Sequence, residues 1–492
     1  MPRPAGLSKS RFTAGLQCHR QLWWRVHERD APELQPDASL QAVFDQGTLV
    51  GEAARRYVPG GTLIDLPYDD YAGKLAATRR ALASGTPAIY EASVSAGNVF
   101  VAVDILAREG RGWRVIEVKS STSVKEQHIP DAAIQVHVLR LAGLEVTGAD
   151  IMVLDRRCTW PDLSNLFMRE DVTGPVEAML AELPRQVEEQ LAVLRGPLPT
   201  VPIGDHCTDP YDCPFLARCW PPRPEHHVST LYYMKRNAAE FEANGWATIH
   251  DLPEGLKLNV QADRQRRAVQ AGRVIVEGDL AASLSRFEGP LAFLDFETVA
   301  PAIPCWDGCH PYDAIPAQFS CHRESGNGTL EHHEWVADGP GDPRPEVARR
   351  VIEACRGART VVAYNMSFEK SCLERMAQAL PAEAEALRDV IARLADPLPV
   401  LREHVYHPGF GGSFSLKAVL PALVPELTYE GLEIAGGTDA SLALSRLVLD
   451  GEGLAAEERQ QAREALMRYC ELDTLGVAKV VEKLRSMAEA DL

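Results

Sequence analysis

Three groups of residues combine types and spacings suited to chemistry. The first is Asp104, at the end of Val101-Ala102-Val103-Asp104, with Glu117 and Lys119 in Val115-Ile116-Glu117-Val118-Lys119. Alternate residues of a strand share a face, so Glu117 and Lys119 project together while Ile116 and Val118 enter the core. Two carboxylates brought together hold Mg²⁺ through oxygen, and such an ion activates water and polarises a phosphoryl oxygen. A lysine beside it orients the water or offsets developing charge. Glu91, upstream, either adds a carboxylate or is a surface residue.

The second group is Cys207, Cys213 and Cys219 in the Pro-rich segment Pro197–Pro224, with Cys18 far upstream. Soft thiolates suit iron–sulfur or zinc. Each gap between the three contains five residues, wider than the usual Cys-x₂₋₄-Cys of zinc sites, which favours a cluster. His206 as a substitute ligand would instead favour zinc. The third group opens with Asp295 and Glu297, at i and i+2 on the apolar run Phe293–Thr298, a spacing that suits two metals about 4 Å apart. Glu369 follows a strand and turn at Val361–Phe368. Tyr469 and Asp473, at i and i+4, share a helix face. Each group has a plainer alternative: a surface strand, three unrelated buried cysteines, or a solvent-exposed strand end.

These residues need elements to position them. Ser8 is placed to cap a helix after Leu7-Ser8-Lys9. Strand patterns run over Ala88–Val94, Val99–Leu106 and Trp113–Val118, then a helix over Ala132–Leu141 and a strand over Ile151–Leu154. An amphipathic helix is expected over Pro175–Leu194, with Val176, Leu180, Leu183, Val187 and Leu191 on one stripe. Residues 226–288 read as a mostly helical connector. Strands at Leu291–Phe296 and Thr360–Tyr364 open a further α/β unit. A long helix, about Ala455–Met487 and broken near Leu472, closes it. The expected division is residues 1–225, 226–288 and 289–492, all of α/β character around the connector.

The Asp104, Glu117 and Lys119 pattern, followed by a helix carrying Gln135, resembles the PD-(D/E)XK nuclease superfamily. One cysteine before that core and three after it resembles its iron–sulfur RecB-like branch, which includes CRISPR-associated exonucleases. The resemblance implies that Cys18, Cys207, Cys213 and Cys219 hold an iron–sulfur cluster, of the 4Fe-4S kind, and that Asp104 and Glu117 hold metal, with Lys119 and Gln135 catalytic. Leu139 stands where that branch usually has a Tyr. Gly47 and Gly51 lie where an upstream His is common. The set Asp-x-Glu-Thr, Asn-x-x-x-Glu and Tyr-x-x-x-Asp resembles the DEDD exonucleases of the RNase H-like fold. That implies Mg or Mn held by Asp295, Glu297, Glu369 and Asp473, with Tyr469 positioning water. Glu369 replaces the family's usual Asp. The Gly-rich run Tyr406–Lys417 reads as a turn or a path for a nucleic-acid backbone, with Lys417 toward phosphate.

The bulk numbers fit this. A chain of 492 residues, 46% hydrophobic and 24% charged, predicts two or three globular domains. It has no apolar leader and no run approaching eighteen apolar residues, so a cytoplasmic protein is expected, with its 11 cysteines as thiols or metal ligands. Cys305 and Cys309 have metal-like spacing but no second pair. The net charge of −18 weighs against nucleic acid as a partner. Two basic runs, Arg3–Arg29 and Arg264–Arg273, counter it as either a phosphate track or a solvated face. The expected function is metal-dependent hydrolysis of nucleic-acid phosphodiester bonds, chiefly at DNA ends or single strands, in repair, recombination or defence. The alternatives are an RNA exonuclease using only the C-terminal site, or a redox-sensitive binding protein with degenerate sites.

Overall fold

The computed structural model describes residues 6–326, 328–450 and 453–490, so Arg3 of the first basic run lies outside the described residues. The protein is mixed α/β, in two compact units. One runs up to Pro222 and takes in Pro301–Tyr312; the other comprises Arg223–Ala300 and the chain from Asp313 onward. Among the described residues, no helix is long and apolar enough to cross a membrane.

In the first unit β1 (Leu7–Ser8) leads directly into the helix Lys9–Gln17, whose first turn is capped where Ser8 Oγ accepts from Arg11 N. The sheet runs β2 (Thr62–Leu63), β3 (Ala88–Ala96), β4 (Val99–Glu109), β5 (Gly112–Val118), β6 (Val146–Leu154) and β7 (Phe167–Asp171), with β1 parallel to β4. The strands β3, β4 and β5 are antiparallel neighbours. Along β4, Val99, Val101, Val103 and Ile105 are buried, and Asp104 lies on the half-buried face between them. The strands β5 and β6 are parallel and joined through the helix Ile129–Leu141. That helix buries residues around most of its circumference, including Gln135, and therefore lacks an amphipathic stripe.

The helix expected over Pro175–Leu194 is instead two, Thr173–Leu180 and Leu183–Arg195. Pro184 is the cause. It offers no N–H, and its ring excludes the carbonyl of Leu180 from a helical bond. The apolar stripe survives because both halves bury Val176, Leu183, Val187 and Leu191 in one core.

The segment expected as a connector packs into the second unit. Its strand β8 (Ile275–Val276) precedes β9 (Leu291–Val299), the middle strand of a five-stranded sheet. Antiparallel β10 (Ile315–Glu324) and β11 (Leu330–Val336) lie on one side of β9. Parallel β12 (Thr360–Val362) and β13 (Leu394–Ala395) lie on the other. Then β14 (Val405–Tyr406) returns to pair with β8. Part of the second basic run serves this packing, while Arg267 is half-buried and Arg273 is exposed. Arg264 and Arg266 are buried. Arg264 donates to Glu277 and to the carbonyls of Arg402 and Glu403, while Arg266 and Arg267 both reach Asp263.

The closing helix, Ala456–Ala490, continues through Leu472 without a break. Leu466, Tyr469, Cys470, Asp473, Val477, Val480, Val481 and Leu484 are buried along it, a stripe at helical spacing that holds one continuous face against the unit.

The Gly-rich run is tightly packed. Gly412 has φ of 84°, Tyr406 Oη accepts from its N–H at 2.9 Å, and a Cβ added there would lie 1.8 Å from the Thr230 carbonyl oxygen. Both the left-handed backbone and the close approach require glycine. Gly412→Ala is expected to cost roughly 1–3 kcal/mol or more in urea unfolding of the second unit. An unchanged midpoint would contradict this packing.

Candidate functional site

Each unit gathers the titratable residues that the sequence singled out. In the first, β4 supplies Asp104, β5 supplies Glu117 and leads to Lys119, and the helix Ile129–Leu141 supplies Gln135. Gln135 Nε2 donates to Glu117 Oε2 at 2.6 Å and to the Asp131 carbonyl at 2.8 Å. Lys119 Nζ lies 2.8 Å from Glu117 Oε1 and also pairs with Asp131. Asp104 Oδ2 accepts from Val118 N at 2.7 Å. Two members were not singled out as site residues from sequence. Lys9 Nζ, at the start of the first helix, donates to Glu117 Oε1 at 2.7 Å, and Asp131 receives Lys119. Asp131 stands four residues before Gln135, so helical spacing carried a signal. Lys9 carried none, because only the pairing of β1 with β4 brings it in.

The electrostatics of this site are polarised. Glu117 is 1% exposed. Burial alone would raise its pKa, but Lys9 and Lys119 outweigh that and hold the carboxyl below its ordinary range. Asp104 is pushed up to about 7 by burial and by Glu117, against the pull of Lys9. Gln135 Oε1 is buried with no hydrogen-bond partner, an acceptor left over beside the carboxylates. Glu91 lies opposite Asp104 across β3 and β4, with φ of 58° and an ion pair to Arg55 at 3.2 Å. It adds to the charge felt by Asp104.

The four cysteines come from both ends of this unit. Cys207 and Cys213 are buried, Cys18 and Cys219 are half-buried, and all are free thiols. Burial raises the Cys219 thiol. Arg20 opposes that, and Cys213, Cys18 and Cys207 reinforce it; Cys213 and Cys219 pack in one cluster with Trp24 and Phe215. The segments are clamped by side chains. Gln17 Nε2 donates to the carbonyls of His206 and Tyr211 at 2.8 and 2.6 Å. Arg218 pairs with Glu28 and Glu33, and stacks over Trp24 and Phe215. His206 Nε2 lies 3.7 Å from Cys207 Sγ.

In the second unit Asp295 and Glu297 project from β9 toward the closing helix. Ligand oxygens of Asp295, Glu297 and Asp473 lie within 4.8 Å of one another. Glu369, in the first turn of the helix Ser367–Ala379, is 4% exposed, and its Oε2 has no hydrogen-bond partner. Its position depends on Asp396, which accepts from the N–H groups of Asn365, Met366 and Leu398, and so fixes the turn after β12 where Asn365 has φ of 59°. Tyr429 donates a hydrogen bond to Asp473, and the Tyr469 ring, one helical turn before Asp473, lies 6.0 Å from the Tyr429 ring. Cys470 Sγ donates to Asp295 Oδ2 at 3.5 Å. Lys417 Nζ donates to the Ala435 carbonyl at 2.7 Å and sits 5.2 Å from the Tyr469 ring. Sequence reasoning missed Tyr429, Cys470 and Asp396; the first lies in a turn and the other two carry no pattern of their own.

Burial raises all four acids, and repulsion from their neighbours adds to it for Asp295 and Glu297. Asp295 is pushed far above its ordinary range by burial and then by Asp473, Glu369 and Glu297. Glu297 is raised to about 8, Glu369 to about 7 and Asp473 to about 6, in each case chiefly by burial. An all-oxygen donor set of this charge fits Mg²⁺ or Mn²⁺. The unpartnered Glu369 oxygen is one more available ligand.

The comparisons with known proteins cover parts of this chain. A family model described as a domain of unknown function (DUF2779) matches residues 292–415, which include Asp295, Glu297 and Glu369 but neither Tyr469 nor Asp473. No curated protein matches. A solved structure titled "Crystal structure of SSO0001" is similar at 13% identity and a TM-score of 0.25, covering 44% of this chain and 88% of its own.

The raised acids set a pH dependence. Between about pH 7 and pH 8.5 the folded chain retains protons on Asp295 and Glu297 that the unfolded chain has released, so stability falls as pH rises. Histidines with lowered pKa are neutral in both states over that window. In chelator, Tm should be lower by several degrees at about pH 8.5 than at about pH 7, and Mn²⁺ should restore it. Equal Tm values, with or without Mn²⁺, would contradict the cluster's charge.

Proposed function

We propose that this protein is a metal-dependent nuclease that hydrolyses nucleic-acid phosphodiester bonds, with one carboxylate site in each unit and a cysteine-held iron–sulfur cluster in the first. The first unit is taken as a PD-(D/E)XK-like module and the second as an RNase H-like DEDD module. The observation that carries this is the convergence of Asp295, Glu297 and Asp473 from distant parts of the chain, with Glu369 and Tyr469 beside them. Four buried like charges are costly unless cations or protons neutralise them.

Asp295, Glu297, Glu369 and Asp473 would hold Mg²⁺ or Mn²⁺, which supplies polarisation of the phosphoryl oxygen and activation of water. Asp473 is oriented by the Tyr429 hydroxyl. Tyr469 is placed to steer a water, and Lys417 to offset phosphate charge. In the first unit Asp104 and Glu117 would hold metal, with Gln135 supplying its unpartnered oxygen. The thiols of Cys18, Cys207, Cys213 and Cys219 would hold the cluster, joining the two ends of the unit. The resemblance to RecB-like and DEDD enzymes favours DNA ends or single strands in repair, recombination or defence.

One observation favours a narrower reading. Glu117 already carries two ammonium partners, Lys9 and Lys119. With its charge so satisfied, the first unit would serve as a cluster-bearing platform while only the second cuts.

Degradation of end-labelled single-stranded DNA and RNA in Mn²⁺ separates these. Asp295→Ala is expected to slow the second site's products by at least about 100-fold. Lys119→Ala should remove a distinct set of products if both units cut, and none if the first is a platform. Turnover indifferent to both changes would refute the nuclease assignment. The cluster has its own test. Anaerobically purified protein should be brown, and Cys213→Ser should lose the visible thiolate–iron absorption; a colourless protein carrying stoichiometric zinc would refute it.

A further inference from the structure

A second group of metal-capable side chains lies in the second unit, apart from the carboxylate cluster. His322 on β10 and His332 on β11 are directly paired across the strands. Their rings stack at 4.4 Å with a 14° tilt. Ligand atoms of His322, His332 and Glu471, the last on the closing helix, lie within 4.8 Å of one another. We propose that these three residues bind a divalent transition-metal ion of the zinc or manganese class.

Two hydroxyls fix the imidazoles. Thr474 Oγ1 lies 2.8 Å from His322 Nδ1, Ser320 Oγ lies 2.9 Å from His332 Nε2, and the hydroxyls are 2.8 Å apart. Ligating histidines are held in this way through the nitrogen that does not face the metal. The remaining nitrogens are His322 Nε2 and His332 Nδ1, and His332 Nδ1 is 3.7 Å from Glu471 Oε1. Glu334 follows His332 on the same face of β11. Its Oε2 is buried with no hydrogen-bond partner and lies 4.0 Å from His332 Nε2, the nitrogen turned toward Ser320, so it stands outside the ligand set. Burial and neighbouring histidines keep both imidazoles neutral at pH 7, the form that ligates.

The donor set distinguishes this site chemically. Imidazole with carboxylate selects zinc, iron or manganese, whereas the Asp295 cluster offers oxygen alone. Capture of an ion tilts the rings out of their stack, because each lone pair lies in its ring plane. The Ser320–Thr474 pair lies between this site and the residues adjoining Asp473, so an ion here would brace the closing helix on β10 and β11.

The test uses the full chain stripped of metal, carrying Asp295→Asn to weaken the carboxylate cluster, and Mn²⁺ alone as probe. Pulsed electron paramagnetic resonance should detect imidazole nitrogen coupled to bound Mn²⁺. His332→Gln should abolish that coupling. Glu471→Gln, at an exposed position that leaves folding intact, should weaken the nitrogen-coupled binding about 10-fold. Mn²⁺ bound without nitrogen coupling, or coupling indifferent to both substitutions, would overturn the proposal and leave the histidines as a hydrogen-bonded polar pair. Neither result depends on whether the protein cuts nucleic acid.

Discussion

Three carboxyl groups share the space between β9 and the closing helix, Glu369 adds its charge from the helix Ser367–Ala379, and each is largely removed from water. Desolvation and mutual repulsion both disfavour charge there, so protons or cations must complete the site. Much of the second unit follows from holding that arrangement. The central strand supplies two acids on one face because strand periodicity is two. The continuous 35-residue helix supplies Asp473 and Tyr469 one turn apart. Asp396 contributes no ligand, yet its three backbone hydrogen bonds set the turn that delivers Glu369.

The first unit solves the same problem differently. Glu117 is nearly inaccessible but keeps its charge, because Lys9 and Lys119 lie against it and Gln135 donates to it. Asp104 lacks such partners at close range and is driven toward its neutral form. Two acids in one site thus differ in protonation through their neighbours, a separation common where acid and base tasks are divided. The same unit joins its ends through Gln17, Arg218 and the neighbouring thiols, so residues nearly two hundred positions apart meet. Closing so long a loop costs entropy, which a polynuclear centre held by all four cysteines would offset.

Local periodicity was legible in the sequence. Ser8 as a cap, the apolar strands around Asp104, Glu117 and Asp295, and the i to i+4 pairing of Tyr469 with Asp473 all depend on a few adjacent residues. So did the residue types of each cluster. The failures share one cause. Pro184 split an apolar stripe that both resulting helices still bury, and the closing helix ran on where a break was expected. Pattern alone registers burial, not continuity.

Tertiary structure decided what those local signals left open. Arg264 and Arg266 looked like a surface charge run, but the packing of residues 223–300 against β14 turned them inward. The Gly-rich run read as a turn or a path for a nucleic-acid backbone, and the fold sets Gly412 against the Thr230 carbonyl while Gly409 and Gly411 stay exposed. Lys9 reached Glu117, and His322 reached His332 and Glu471, only through strand pairing and helix docking. By itself the sequence determined residue chemistry and short-range periodicity, because these are set within one or two turns of chain. The long-range pairings that assign each charge a partner depend on how distant segments close on one another, and only the folded chain sets those distances.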